Sequence, residues 1–161
     1  MSILEAKINA LMRLCMADSE PARKEAQQEV KRLMSTRSYV DPVDPEYAVQ
    51  ELLLELGAPD HLIGHPYMIE AILMVLKDRK NIDNITFVMY PTLAAKFDTT
   101  AARVERAMRH LVEVTWNRGD IDVLSGYFGN TVSPEKGKPT NGEFIARCAN
   151  IVRMRLKNAA K

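Results

Sequence analysis

The chain has 161 residues, 47% of them hydrophobic and 27% charged, with a formal net charge of +1. That length allows one domain with a smaller appendage and a real buried core, and the composition is that of an ordinary globular protein rather than a disordered or fibrous one. No apolar run approaches the 18 or so residues of a membrane span, and the N-terminus lacks the order of a signal peptide, so a cytoplasmic chain without a membrane partner is expected.

Ile3 to Ala17 spaces its apolar residues as a helix does, with Leu4, Ile8, Leu11, Met12 and Cys15 on one stripe suited to pack on a neighbour. Ser19 is placed to cap a second helix, Pro21 falls in its first turn, and Ala22 to Met34 continues it with Ala22, Ala26, Val30, Leu33 and Met34 inward. Arg23, Lys24, Gln27, Gln28 and Lys31 then make a solvated outer face. The resulting helical hairpin, residues 1–37, is too short to hold much of a core and is suited to pairing with a copy of itself. Residues 38–45, S-Y-V-D-P-V-D-P, contain two Asp-Pro pairs. Proline removes a donor and the helical option for the residue before it, so this stretch reads as a linker between the hairpin and a domain over 46–161.

Beyond the linker, Tyr47, Val49, Leu52, Leu53 and Leu56 mark a helix ended by Gly57-Ala58-Pro59. His61 and His65 have the spacing of metal ligands on a helix, but Gly64 and Pro66 interrupt it and no third ligand follows, so no metal is expected. Pro66 to Lys80 reads as a helix burying Met68, Ile69, Ile72, Leu73, Val75 and Leu76, with Met68, Met74 and Met89 as core filler. Asn81 to Thr86 reads as a polar connection. Cys15 and Cys148 both fall on apolar helix sides and are expected as buried free thiols.

Tyr90 to Phe97, Y-P-T-L-A-A-K-F, is a short helix with Pro91 in its first turn, and only Asp98-Thr99-Thr100 separates it from a longer one. Thr99 or Thr100 can cap that longer helix, and Gly119 suits a left-handed residue ending it. At about 100° per residue, Val104, Ala107, Met108, Leu111, Val112, Val114 and Thr115 cover one side, while Arg103, Arg106, Arg109, His110, Glu113 and Asn117 take the other. Two helices joined by a turn of three residues, the second with arginines near its start, make the pattern of a helix-turn-helix DNA reader. Arginine pairs twice with guanine O6 and N7, and a carboxylate can accept from cytosine N4. Arg103, Glu105 and Arg106 occupy the turns that meet base edges, whereas Arg109 and His110 lie a turn further on, better placed for phosphates.

Asp120 to Phe128 offers a short helix, and Gly129 to Pro139 an irregular loop whose Lys136 and Lys138 suit a phosphate clamp as well as a solvated surface. Thr140 and Glu143 form a capping box for Asn141 to Leu156, with Phe144, Ile145, Cys148, Val152 and Leu156 inside. Every period is near 3.6, so the fold class is all-α: a multi-helix domain containing a helix-turn-helix, preceded by the hairpin. Residues 1–100 hold 11 Lys/Arg and 15 Asp/Glu, a net of −4, and residues 101–161 hold 11 and 6, a net of +5. The basic part carries the motif, as binding a polyanion requires.

The run Y-P-T-L-A-A-K-F-D-T-T-A-A-R-V-E-R-A-M-R-H, followed by W-N-R-G-D-I-D (Trp116 to Asp122) and K-P-T-N-G-E-F (Lys138 to Phe144), resembles the C-terminal DNA-binding domain of the stage zero sporulation protein A family. G-A-P-D-H-L-I-G-H-P-Y, from Gly57 to Tyr67, resembles that family's opening helix and turn, and the likeness spans roughly Val49 to Leu156. The resemblance implies a transcription regulator that binds double-stranded DNA as a homodimer and touches RNA polymerase. It also implies that the helix matching Ala101 to Arg118 enters the major groove, where Arg103, Glu105 and Arg106 read a guanine-containing element and Arg109, His110 and Lys138 contact the backbone or flanking bases. With Thr100 at the helix start, these are the candidate DNA-binding residues. Family members usually carry a phosphorylatable receiver domain upstream; residues 1–45 are too short for one, so Asp18, Asp41 and Asp44 are not expected as phosphoacceptors.

The function expected is therefore a sequence-specific DNA-binding regulator. The alternative is a truncated paralogue that acts through its hairpin as a protein-interaction or sequestering module. No Gly-rich phosphate loop, Ser/His/Asp order or carboxylate pair supports an enzyme or a cofactor.

Overall fold

Helix-forming runs separated by Pro, Gly and capping Asp or Thr residues shape the whole chain. The structure, a computed structural model, describes residues 3–35, 44–129, 132, 135 and 137–160. Among them stand eight α-helices: α1 (Ile3–Cys15), α2 (Glu20–Ser35), α3 (Pro45–Glu55), α4 (Gly64–Lys77), α5 (Tyr90–Lys96), α6 (Ala101–Arg118), α7 (Ile121–Phe128) and α8 (Asn141–Ala159). No strand occurs among the described residues, and the fold is all-α. It divides into two compact units, Met1–Asp41 and Pro42–Lys161.

In the first unit α1 packs along α2 as a hairpin, and Ala10 and Ala26 are the buried side chains among its described residues. The stripe expected to pack does not: Ile8, Leu11, Met12 and Ala22 are exposed, and so is Cys15, which is not the buried thiol the sequence implies. The reason is that α1 has a second apolar side, Ala6, Ala10, Leu14 and Ala17, whose small residues let α2 approach closely. Arg13 and Glu29 pair across the hairpin at 3.6 Å. The side chains of Leu4 and Met34, and residues 38–43 of the expected linker, lie outside the described residues.

The second unit opens at Asp44, whose carboxylate accepts from Glu46 N at 3.0 Å, with Pro45 as the first residue of α3. Proline in a first turn forfeits nothing, because those N–H groups have no partner inside the helix. The same allowance lets α4 start at Gly64 and run through Pro66, earlier than the sequence suggests, and end at Lys77 rather than Lys80. The stretch expected as a polar connection is not irregular. Asp78 accepts from Lys80 N and starts a 3-10 turn, Arg79–Asn84, while Asn81 Nδ2 donates to Met74 O at 2.8 Å. A π-helical turn, Ile85–Met89, then leads directly into α5 and buries Met89 completely.

The core lies where α4, α6 and α8 meet, flanked by α3 and α5. Leu52, Leu53, Leu56, Met68, Ile72, Met108, Leu111, Phe144 and Ile145 are fully buried there, each contributing about 1.5–3 kcal/mol by leaving water. Phe128 of α7 stacks on Phe144 at 5.3 Å and meets Trp116 edge-on at 5.2 Å, which fixes α7 between α6 and α8. Cys148 is completely buried, and burial pushes its thiol far up. Gly119 is not left-handed; its φ of −68° and ψ of 161° are open to any residue. Glycine is needed there because a Cβ would stand 2.6 Å from Thr115 O and 2.8 Å from Leu56 O.

One polar tie joins three helices. Arg155 of α8 grips the Glu55 carboxylate with both terminal nitrogens, at 3.0 and 2.8 Å, and Tyr127 Oη donates to Glu55 at 2.9 Å. Hydrogen bonding to Arg155 holds the Glu55 carboxyl below its ordinary value of 4.5. A depressed carboxylate stabilises the fold above that value and loses the contribution as pH falls through its lowered folded value. Glu55→Gln is expected to cost about 0.5–1 kcal/mol at pH 7, the range of solvent-screened pairs, and almost nothing at acid pH, as read by urea melts at both.

Close packing makes a second, larger prediction. A Cβ on Gly64 would lie 2.2 Å from Ala107 O and 2.7 Å from Ala107 C, both backbone atoms of α6 that cannot swing away. Gly64→Ala is expected to destabilise the domain by about 1–3 kcal/mol, seen as a lower urea midpoint at unchanged slope.

Candidate nucleic-acid interface

Seven residues of α5 and the turn after it aim the longer helix. Leu93 and Ala94 are buried, Phe97 N donates to Leu93 O at 3.0 Å, and Thr99 N donates to Ala94 O at 2.9 Å. Asp98 has φ of +50°, a left-handed conformation that Asp tolerates better than most residues. Of the two possible caps it is Thr100 that acts, its Oγ1 accepting from Arg103 N at 3.3 Å.

On α6, Val104, Met108, Leu111, Val112 and Thr115 are buried, with Ala107 and Val114 half-buried beside them. Thr115, the polar member of the group, donates its hydroxyl to Leu111 O at 2.8 Å. The opposite side exposes Arg103, Arg106, Arg109, His110 and Asn117. Glu105 and Glu113 lie along one flank and are half-buried.

That flank sorts the cations into two kinds. Arg109 donates from both Nε and Nη2 to Glu105, the Nε bond at 2.9 Å. Lys138 reaches Glu113 at 2.6 Å, so the loop lysine is held to α6 across 25 positions of chain. Its hydrogen bond keeps the Glu113 carboxyl below the ordinary carboxylate value, and the bond to Glu105 pushes the Arg109 guanidinium higher still. The side chains of Arg103 and Arg106 make no hydrogen bond or ion pair among the described residues. Lys136, the other expected clamp residue, lies outside them.

Two depressions run beside α6. One is lined by His61, Leu62, Ile63, Arg103, Arg106 and His110. The other passes Tyr90, Arg109, Glu113, Lys138, Thr140 and Asn141. His61 and the exposed Ile63 entered the sequence reading through the Gly57 to Tyr67 likeness, and His61 through the metal question, but neither was named as a DNA-facing residue; Gly64 places them there, since it lets the start of α4 lie against Ala107. Asn141 was missed altogether. Its Nδ2 donates to Tyr90 Oη at 3.0 Å and to Glu105 O at 3.2 Å, joining the start of α8 to α5 and α6, and its Oδ1 is buried without a partner. The capping box is present, with Thr140 N on Glu143 at 2.8 Å and Glu143 N on Thr140 Oγ1 at 3.2 Å.

Among the described residues His61 and His65 gather no third ligand into a group able to hold a metal. Burial lowers the His65 imidazole, which lies in the first turn of α4 while His61 precedes it. No helix among them is long and apolar enough to cross a membrane.

A family model described as sporulation initiation factor Spo0A C terminal matches residues 49–152. The match begins inside α3 and ends inside α8, so it takes in the whole arrangement around α6 and leaves out α1 and α2. Thr100→Ala is expected to remove the cap and cost about 1 kcal/mol, with faster amide exchange confined to the first turn of α6 as the distinguishing measurement.

Proposed function

We propose that this chain, which belongs to the sporulation initiation factor Spo0A C-terminal family of DNA-binding transcription regulators, reads duplex DNA in a sequence-specific way through α6. The family is a regulatory one, not an enzyme family. The observation that carries the finer reading is the pair Arg103 and Arg106, exposed on the first two turns of α6, with guanidinium groups that have no partner among the described residues. A guanidinium left free by its own chain can make the two-point contact with guanine at no cost in broken ion pairs.

In this reading Arg109, His110 and Lys138 meet phosphates or flanking bases. Glu105 has two roles in tension: it can accept from cytosine, and it holds Arg109. The half-buried Glu105 side chain and its bond to Arg109 support the second role more directly. Thr100 contributes by capping the helix that presents the arginines, and His61 and Ile63 join the surface that the duplex would cover.

A second reading, the interaction or sequestering module, draws support from the exposed apolar side of α1. The two separate in gel shifts over a salt series. Arg103→Ala is expected to cost about 1–3 kcal/mol of binding and relax the preference at one base pair, whereas Lys138→Ala weakens all sequences alike and lowers the salt slope by about 1. If neither variant alters binding to any duplex selected from a random pool, the interaction module takes its place.

A further inference from the structure

A single exposed isoleucine on a protein surface needs no explanation, but Ile63 stands where the surface around it is cationic. It is 70% exposed and lines one depression with Arg103, Arg106 and His110. The other strongly exposed apolar side chains among the described residues, such as Leu54, Phe87, Ile121 and Met154, lie outside that depression. Its place is fixed from both sides. Leu62 before it packs against the core, with His65 N donating to Leu62 O at 2.9 Å. Gly64 after it is pressed on Ala107 of α6, where a Cβ would find no room. Ile63 is therefore carried on the frame that holds α6, not on a free loop.

We infer that Ile63 is a specificity-determining residue, which packs on the 5-methyl group of a thymine within about two base pairs of a guanine met by Arg103 or Arg106. The inference rests on α6 entering the major groove and names the base selected beside it. A duplex offers two kinds of group at that flank, and chemistry decides between them. Phosphate oxygens are charged and hydrated, and a branched hydrocarbon laid on them displaces water without returning a hydrogen bond. The thymine methyl is the apolar group that the major-groove edges present. It lies on the backbone side of thymine O4, so it extends from the middle of the groove toward a residue placed beside the helix, while the arginines of the helix itself reach hydrogen-bonding atoms. Such a contact prefers thymine to cytosine, which carries a hydrogen at the same position.

The test uses the full chain and a duplex recovered with it from a random pool. Each thymine is replaced in turn by deoxyuridine, which removes the 5-methyl group and keeps every hydrogen-bonding atom. At one thymine, within about two base pairs of the guanine whose preference Arg103→Ala relaxes, the dissociation constant is expected to rise about fourfold, the worth of one methyl group leaving water. Ile63→Ala is expected to weaken the thymine duplex at least as much and to bind both duplexes equally, whereas Ile63→Val retains most of the difference. Because the side chain is largely exposed, the urea midpoint of Ile63→Ala should match that of the unaltered chain. A deoxyuridine effect that persists undiminished in Ile63→Ala overturns the inference. So does the lack of a sensitive thymine near that guanine while Arg103→Ala still relaxes the preference there, and in both cases the reading of α6 stands. If Arg103→Ala changes binding to no duplex, that reading falls and takes this inference with it.

Discussion

At Gly64 the first turn of α4 passes so near α6 that a single methyl group would stand 2.2 Å from the carbonyl of Ala107. That close crossing sets the direction of α6. With Val104, Met108, Leu111 and Val112 seated in the core, the helix can roll little, because any rotation drives a large side chain into filled space. The arginine side is therefore held outward by the packing of the side that carries no charge. The crossing also brings residues 61–63 alongside Arg103 and Arg106, giving the exposed face a wall that the helix alone does not possess.

The cations on that face differ in what binding asks of them. Arg109 and Lys138 already lie against carboxylates, so their rotamer freedom is partly lost before any ligand arrives. A phosphate has to take the place of a carboxylate there. Arg103 and Arg106 keep their freedom and their charge unopposed. In the proposed reading, Glu105 and Glu113 compete with phosphate for Arg109 and Lys138, while Arg103 and Arg106 meet the duplex with no carboxylate to displace.

The two units meet their burial needs by different means. The effector unit closes a core of large side chains and adds the Glu55–Arg155–Tyr127 tie across three helices. The hairpin packs through alanines, which permit close approach but remove little apolar area from water. Its larger residues Ile8, Leu11 and Met12 stay substantially exposed on α1.

What the sequence by itself determined is whatever is decided within about four residues. The helix-forming runs, the three-residue turn between α5 and α6, a threonine cap at position 99 or 100 and the Thr140–Glu143 box rest on hydrogen bonds and side-chain periodicity internal to one segment, and local chemistry states them, whereas the ends of α4 and the 3-10 and π turns after it were not read. The motif of Tyr90 to His110 was legible for the same reason. Tertiary structure decided what depends on distant partners. It chose the alanine side of α1 over the leucine side and so exposed Cys15. It required glycine at position 119 for the sake of Leu56 O rather than for a left-handed turn. It tied Lys138 to Glu113 and Arg155 to Glu55, and it set His61 and Ile63 beside the arginines. A helix with two apolar sides, or a glycine whose neighbour is 63 positions away in the chain, has no local signature, because the energy that selects it comes from packing between segments.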